Sequence, residues 1–154
     1  MKFLKIRPVK DPNRGTTNSA GIDFFIPEDF HPTIIIPGKS ALIPSGIKAN
    51  IPEGFAFIAH NKSGVATKKN LQVGASVVDE DYQGEIHIHL TNVGTEDIEL
   101  NPGDKIVQFL LLPVAYETVE IVDTEEELYN GEVTERGEGG FGSTTIDHAV
   151  SENL

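Results

Sequence analysis

Glu85-Ile86-His87-Ile88-His89-Leu90 alternates polar and apolar residues without a break. A period of two places Ile86, Ile88 and Leu90 on one face of an extended strand, with His87 and His89 on the other. Working outward, short apolar runs recur at residues 33–36, 41–43, 46–51, 54–59, 105–112 and 118–122. Pro37-Gly38, Pro52-Glu53-Gly54 and Pro102-Gly103 sit between such runs, as turns do between strands. Only two stretches suit a helix: residues 64–70, which interrupt the strand rhythm, and the short acidic segment 124–128. Many short strands with regular turns predict an all-β fold, a jelly-roll-like β-sandwich or barrel subunit with one short helix.

The chain has 154 residues, enough for one domain with a core of its own. It contains no cysteine, which excludes disulfides, thiolate metal sites and a cysteine nucleophile. No apolar run approaches the roughly 20 residues that span a bilayer. The basic start, Met1-Lys2-Phe3-Leu4-Lys5-Ile6-Arg7, lacks the pattern of a signal peptide, so a cytoplasmic protein without a membrane partner is expected. Net charge is −12, from 12 basic and 24 acidic residues, which disfavours nucleic acid as a partner. The same charge repels phosphates. A phosphate site here must gather scarce cations, backbone amides and a bound metal in one place.

Arg136-Gly137-Glu138-Gly139-Gly140-Phe141-Gly142-Ser143-Thr144-Thr145 has that character. Its glycines let backbone N–H groups converge on an anion. Arg136 offers a planar fork, Ser143 and Thr144 offer hydroxyls, and Phe141 is free to stack on a ring. Val77-Val78-Asp79-Glu80-Asp81-Tyr82-Gln83-Gly84-Glu85 reads as a β-hairpin whose tip carries Asp79, Asp81 and Tyr82. A carboxylate fixed at a strand end can orient and deprotonate water. His60-Asn61-Lys62-Ser63-Gly64-Val65-Ala66 joins a strand to a helix, with Ser63 as the expected N-cap and Lys62 adding charge to the free amides. Asp23 stands among small and apolar residues in Ala20-Gly21-Ile22-Asp23-Phe24, and Gln108 lies inside the apolar strand Lys105-Ile106-Val107-Gln108-Phe109. Taken singly, these segments also suit a flexible tail, a solvated acidic turn, a helix cap and satisfied core polar groups. His87 and His89 have a metal-like i, i+2 spacing but no third ligand nearby, and read as a polar sheet face or subunit contact.

In order, these segments resemble the five motifs of the trimeric dUTPase family. Residues 20–23 look like the first motif, 62–66 the second, 78–85 the third, 103–108 the fourth and 136–144 the fifth, so the likeness covers most of the chain. The resemblance implies a jelly-roll subunit, a homotrimer with shared active sites, and Mg²⁺-dependent hydrolysis of dUTP to dUMP and pyrophosphate. Such an enzyme limits uracil incorporation into DNA and supplies dUMP for dTMP synthesis. By the same resemblance, Asp79 activates the water that attacks the α-phosphorus, and Tyr82 packs under the deoxyribose. Backbone groups around Ser76, Val77, Val78 and His87 bind uracil. Lys62, Ser63, Gly64 and Gln108 hold phosphates, and Asp23 acts on the metal through water. Arg136, Ser143 and Thr144 clamp the γ-phosphate, Phe141 covers the uracil, and Gly142 is a further substrate-binding residue. The implied division is a β-domain over residues 1–135, a lid motif over 136–145 and a disordered tail over 146–154.

Three positions depart from the family pattern. Lys62 stands where Arg is usual, Ser76 where Gly is common, and Thr145 replaces a closing Gly. The nearest rival is a dCTP deaminase of the same fold, whose catalytic Glu would align near His89. A second rival is an inactive jelly-roll module that binds nucleotides or a protein.

Overall fold

The computed structural model describes residues 1–140. Phe141, Gly142, Ser143 and Thr144, and the tail expected over 146–154, lie outside the described residues. Eleven strands and two short helices appear among those described. In chain order they are β1 (Lys2–Lys5), β2 (Ile22–Phe25), β3 (Thr33–Ile35), β4 (Ser40–Pro44), β5 (Ile47–Asn50), β6 (Phe55–Asn61) and α1 (Ser63–Lys69). There follow β7 (Leu71–Val73), β8 (Val77–Val78), β9 (His87–Asn92), β10 (Ile98–Leu100), β11 (Lys105–Pro113) and α2 (Glu125–Tyr129). The expected all-β jelly-roll subunit is the fold observed, with two short helices where one was expected, because the acidic segment at α2 also closes a helical turn.

Two sheets carry the site. One has the order β2-β11-β6-β8 and the other β4-β9-β7, with the two-stranded pairs β1-β5 and β10-β3 beside them. Every pairing is antiparallel. The alternation that opened the sequence reading is what buries β9. Ile86, Ile88 and Leu90 are each 1% exposed, whereas His87 faces out and His89 is half-buried. Each such aliphatic side chain contributes about 1.5–3 kcal/mol on leaving water. Across the core, Phe109 on β11 lies 4.6 Å from Phe24 and 4.7 Å from Phe57, ring centre to ring centre.

Several expectations are corrected. Residues 118–122 form no strand. Their alternation is strand-like, but Val119 and Ile121 are each 87% exposed, and no described strand pairs with them. The hairpin expected around residues 77–85 is not a paired ladder: β8 pairs with β6, while β9 pairs with β4 and β7. Ser63 is not the N-cap of α1. Lys62 takes that position with an extended backbone and no capping side chain, and Ser63 is already helical.

A compact unit spans Met1–Tyr116, and a second unit begins at Glu117. The boundary expected at 135/136 falls inside that second unit. Every buried apolar residue among those described lies between Val9 and Phe109.

Candidate active site

Where β7 leaves β9, the chain crosses to β6, and the gap between the diverging arms is a pocket. Ala75, Ser76, Val77, Val78 and Asp79 form one wall, Ile86 and His87 the other, with Tyr82 beside them and the buried Phe109 also lining it. Its volume is about 170 Å³. That is many times the ~10–15 Å³ of such space that one water needs, and gives room for a planar ring. Four of its lining residues belong to strands: Val77 and Val78 of β8, His87 of β9 and Phe109 of β11. A larger, more open depression of about 590 Å³ lies between the β1–β5 pair and residues 80–83. It includes Lys2 and Lys48 but excludes Asp79.

Local bonds fix the turn between the pocket walls. The Asp79 carbonyl accepts from Tyr82 N at 3.2 Å, and the Tyr82 hydroxyl donates to Glu85 O at 2.9 Å. The Tyr82 ring lies so close over Gly84 that any Cβ there would overlap it. The Glu85 carboxylate accepts from Gly46 N at 2.8 Å and from Arg7 Nε at 3.1 Å, anchoring the approach to β9. Glu80 is held differently, accepting from Gly54 N at 2.5 Å. Of the three neighbouring acids, only Asp79 lines the pocket, and its side chain makes no hydrogen bond among the described residues.

The polar groups of the first, second and fourth motifs form a separate cluster at the far end of β6. Gln108 on β11 is paired with Asp23 on β2 and with His60 on β6. Its amide donates to Asn61 O at 2.8 Å. Gly21 is required beside it, because a Cβ there would run into the Gln108 side chain. Asp23 is 4% exposed and carries a cation on each oxygen: Lys62 at 2.5 Å and Lys105 at 2.9 Å. A bulge in β11 between Lys105 and Val107 brings Lys105 into play, as bulges re-aim side chains at sheet edges. In α1, the Val65 and Ala66 amides bond back to Lys62 O, leaving Ser63 and Gly64 without an intrahelical acceptor.

Burial alone would raise the Asp23 carboxyl. The hydrogen bonds from Lys62 and Lys105, and their charges, outweigh it and hold the group below its ordinary value of 3.8. A carboxyl depressed in the folded state stabilises the fold above its unfolded value, and that contribution disappears as pH falls through the folded value. Acid unfolding of the wild type is therefore expected to include a component below about pH 3.8 that Asp23→Asn lacks. Thermal melts from pH 5 to pH 2 would measure it. Parallel curves for the two proteins would remove Asp23 as its source.

Arg136 belongs to the second unit. Its Nε donates to Gly139 O at 2.7 Å, and Gly137 adopts a φ of +50°, a left-handed backbone that glycine tolerates.

Residues 7–145 match the family model described as dUTPase. The chain belongs to the dUTPase family. It is 40% identical over 144 residues to the deoxyuridine 5'-triphosphate nucleotidohydrolase of Yarrowia lipolytica, covering 93% of this chain and 87% of that one. It is 38% identical to the mouse protein of the same name, covering 86% and 76%. Among solved structures, a mutant dUTPase of Staphylococcus bacteriophage 80alpha with dUpNHpp superposes with a TM-score of 0.79 at 23% identity, covering 94% of this chain and 98% of that one. A mutant dUTPase of phage phi11 of S. aureus, described with a structural Mg(II) ion, gives 0.72 at 21% identity, covering 81% and 97%.

The structure brings Ser76, Val77, Val78, Asp79, Tyr82 and His87 together, and separately Asp23, Lys62 and Gln108, with Ser63 and Gly64 adjoining. Sequence reading missed Lys105 as the second cation on Asp23, and Ala75, Ile86 and Phe109 as pocket residues. Only strand register could have revealed them.

Proposed function

We propose that this dUTPase-family chain hydrolyses dUTP to dUMP and pyrophosphate. The observation that carries this reading is the base-sized pocket with Asp79 at its rim. Strand backbone around Ser76, Val77, Val78 and His87 reads uracil by its hydrogen-bonding edge. Tyr82 supports the deoxyribose, leaving no room for a 2′-hydroxyl. Asp79 takes a proton from the water that attacks the α-phosphorus. Lys62, Ser63, Gly64 and Gln108 hold phosphates, and Arg136, Ser143 and Thr144 clamp the γ-phosphate while Phe141 covers the uracil, with Gly142 a further substrate-binding residue.

The donor set suits Mg²⁺ that arrives on the triphosphate. Mg²⁺ keeps several waters and uses few protein carboxylates, and no cluster of three acidic or histidine ligands occurs among the described residues. Asp23, its oxygens already shared with two lysines, would touch the ion only through water. The ion would supply charge neutralisation on the phosphates.

The family resemblance supports a homotrimer with shared sites, and the division of the constellation suits it. The pocket wall pairs with residues 57–58 of β6, whereas the cationic cluster lies beyond residue 60 of that strand. Pocket and cradle from different subunits would complete each other. The exposed alternation at 118–122 suits a strand completed by a second copy. No helix of the described residues is long and apolar enough to cross a membrane. A nucleoside triphosphate substrate suits an enzyme inside cells, and the reading adopted is a cytoplasmic one.

The test is to incubate the protein with Mg²⁺ and dUTP, dCTP, dTTP or UTP, following pyrophosphate and ammonia separately. Pyrophosphate from dUTP alone is expected. Ammonia from dCTP, or silence with retained dUTP binding, would overturn the reading.

A further inference from the structure

The β7–β9 ladder runs as far as the pair Val73 and Leu90. Gly74 N still donates to His89 O at 2.9 Å, but Ser76 O already accepts from Ala59 N of β6 at 2.8 Å. Ala75 thus sits at the fork, where its N–H has left one ladder without joining the other. The His89 side chain fills that gap: Nδ1 accepts from Ala75 N at 3.1 Å. The ring also presses on Gly74, where any Cβ would overlap it. An acceptor Nδ1 is an unprotonated one, which puts the neutral ring's proton on Nε2.

We propose that His89 is a positioning residue for the base pocket, its Nδ1 holding the wall that starts at Ala75 at the spacing the base requires, and that a proton on Nδ1 releases that wall. The proposal rests on the dUTP reading above. The Ala75 amide is exposed, so His89 competes with water for it, and what the ring adds is a fixed direction for the wall. The cross-strand neighbours do not titrate: β4 sets Ser40, Leu42 and Pro44 opposite Thr91, His89 and His87, and β7 sets Gln72 opposite Thr91. Along β9 itself, His87 is the titratable group on the same face, and its Nδ1 lies 3.0 Å from Glu85 O. The Glu85 carboxylate is committed to Arg7 and Gly46.

The experiment compares the full-length wild type with His89→Val and His89→Asn. Valine suits a strand but cannot accept, whereas the asparagine Oδ1 can take the acceptor position and does not titrate. Steady-state dUTP hydrolysis is measured from about pH 8 down to about pH 5, with hydrogen exchange of the Ala75 amide followed by NMR. His89→Val is expected to raise KM about three- to tenfold, the factor one net hydrogen bond carries, with kcat within about twofold. His89→Asn should keep the wild-type KM at neutral pH and lack the wild type's rise in KM toward acid. Ala75 exchange should be faster in His89→Val alone. An unchanged KM in His89→Val, equal impairment of both variants, or Ala75 exchange indifferent to substitution would overturn the proposal. A wild type that leaves dUTP intact would overturn the function instead, and the exchange measurement would still judge the His89 contact.

Discussion

Asp79→Asn is expected to lower kcat for dUTP about 10²–10⁴-fold, the usual loss when a general base is removed, with KM close to wild type. Asparagine keeps the shape of the side chain and can still hold a water, but it cannot take the proton. The substitution should also leave the fold alone. The turn is held by backbone and tyrosine bonds that do not use the Asp79 carboxylate. Two adjacent acids serve as internal controls. Glu80 is tied to Gly54 N, and Asp81 faces a different depression, shared with Ile51, Glu53 and Glu80. Asp81→Asn should therefore keep kcat within about threefold, less than 1 kcal/mol of barrier. Normal turnover by Asp79→Asn, or equal losses in both variants, would remove Asp79 from the reaction.

Deleting residues 136–154 is expected to abolish most turnover while the rest of the molecule folds as before. Losing the Arg136 fork costs charge-assisted bonds of about 1.5–3 kcal/mol each. Losing the hydroxyls and the aromatic cover adds to that, so a fall in kcat/KM on the order of 10²-fold or more is reasonable. Stability should barely change, because no buried residue occurs from Glu117 to Gly140. The two readouts are kcat/KM with dUTP and the thermal midpoint. A truncated protein with full turnover would refute a lid role for the segment. One that fails to fold would show that the segment supports structure rather than chemistry.

How much of this was legible beforehand varies with the kind of interaction involved. The face of β9 was readable because burial follows a period of two, and Ile86, Ile88 and Leu90 all sank as expected. Helix α1 was readable because its segment broke that rhythm. Strand β1 was not, since Lys2-Phe3-Leu4-Lys5 looks like a basic terminus until its partner β5 is known. Residues 118–122 show the converse, a strand pattern to which no described strand offers a partner. The pocket motif was recognised, but not its geometry. Whether Val77 and Val78 pair with the returning arm or with β6 depends on long-range register, which local composition does not encode. Asp23 was picked out as an isolated acid, yet its second cation, Lys105, comes from the neighbouring strand beside a bulge that no local signal announced. The Ser63 cap failed because Lys62 already supplies the extended residue that precedes the helix.

A pocket that reads its base through main-chain groups, as proposed for Ser76, Val77, Val78 and His87, also bears on drug resistance. A competitive inhibitor that bonds to those main-chain groups would present evolution with few single-codon escapes, because replacing a side chain leaves the peptide amides where they were. Escape would have to come from altered strand spacing, at a cost to the natural substrate.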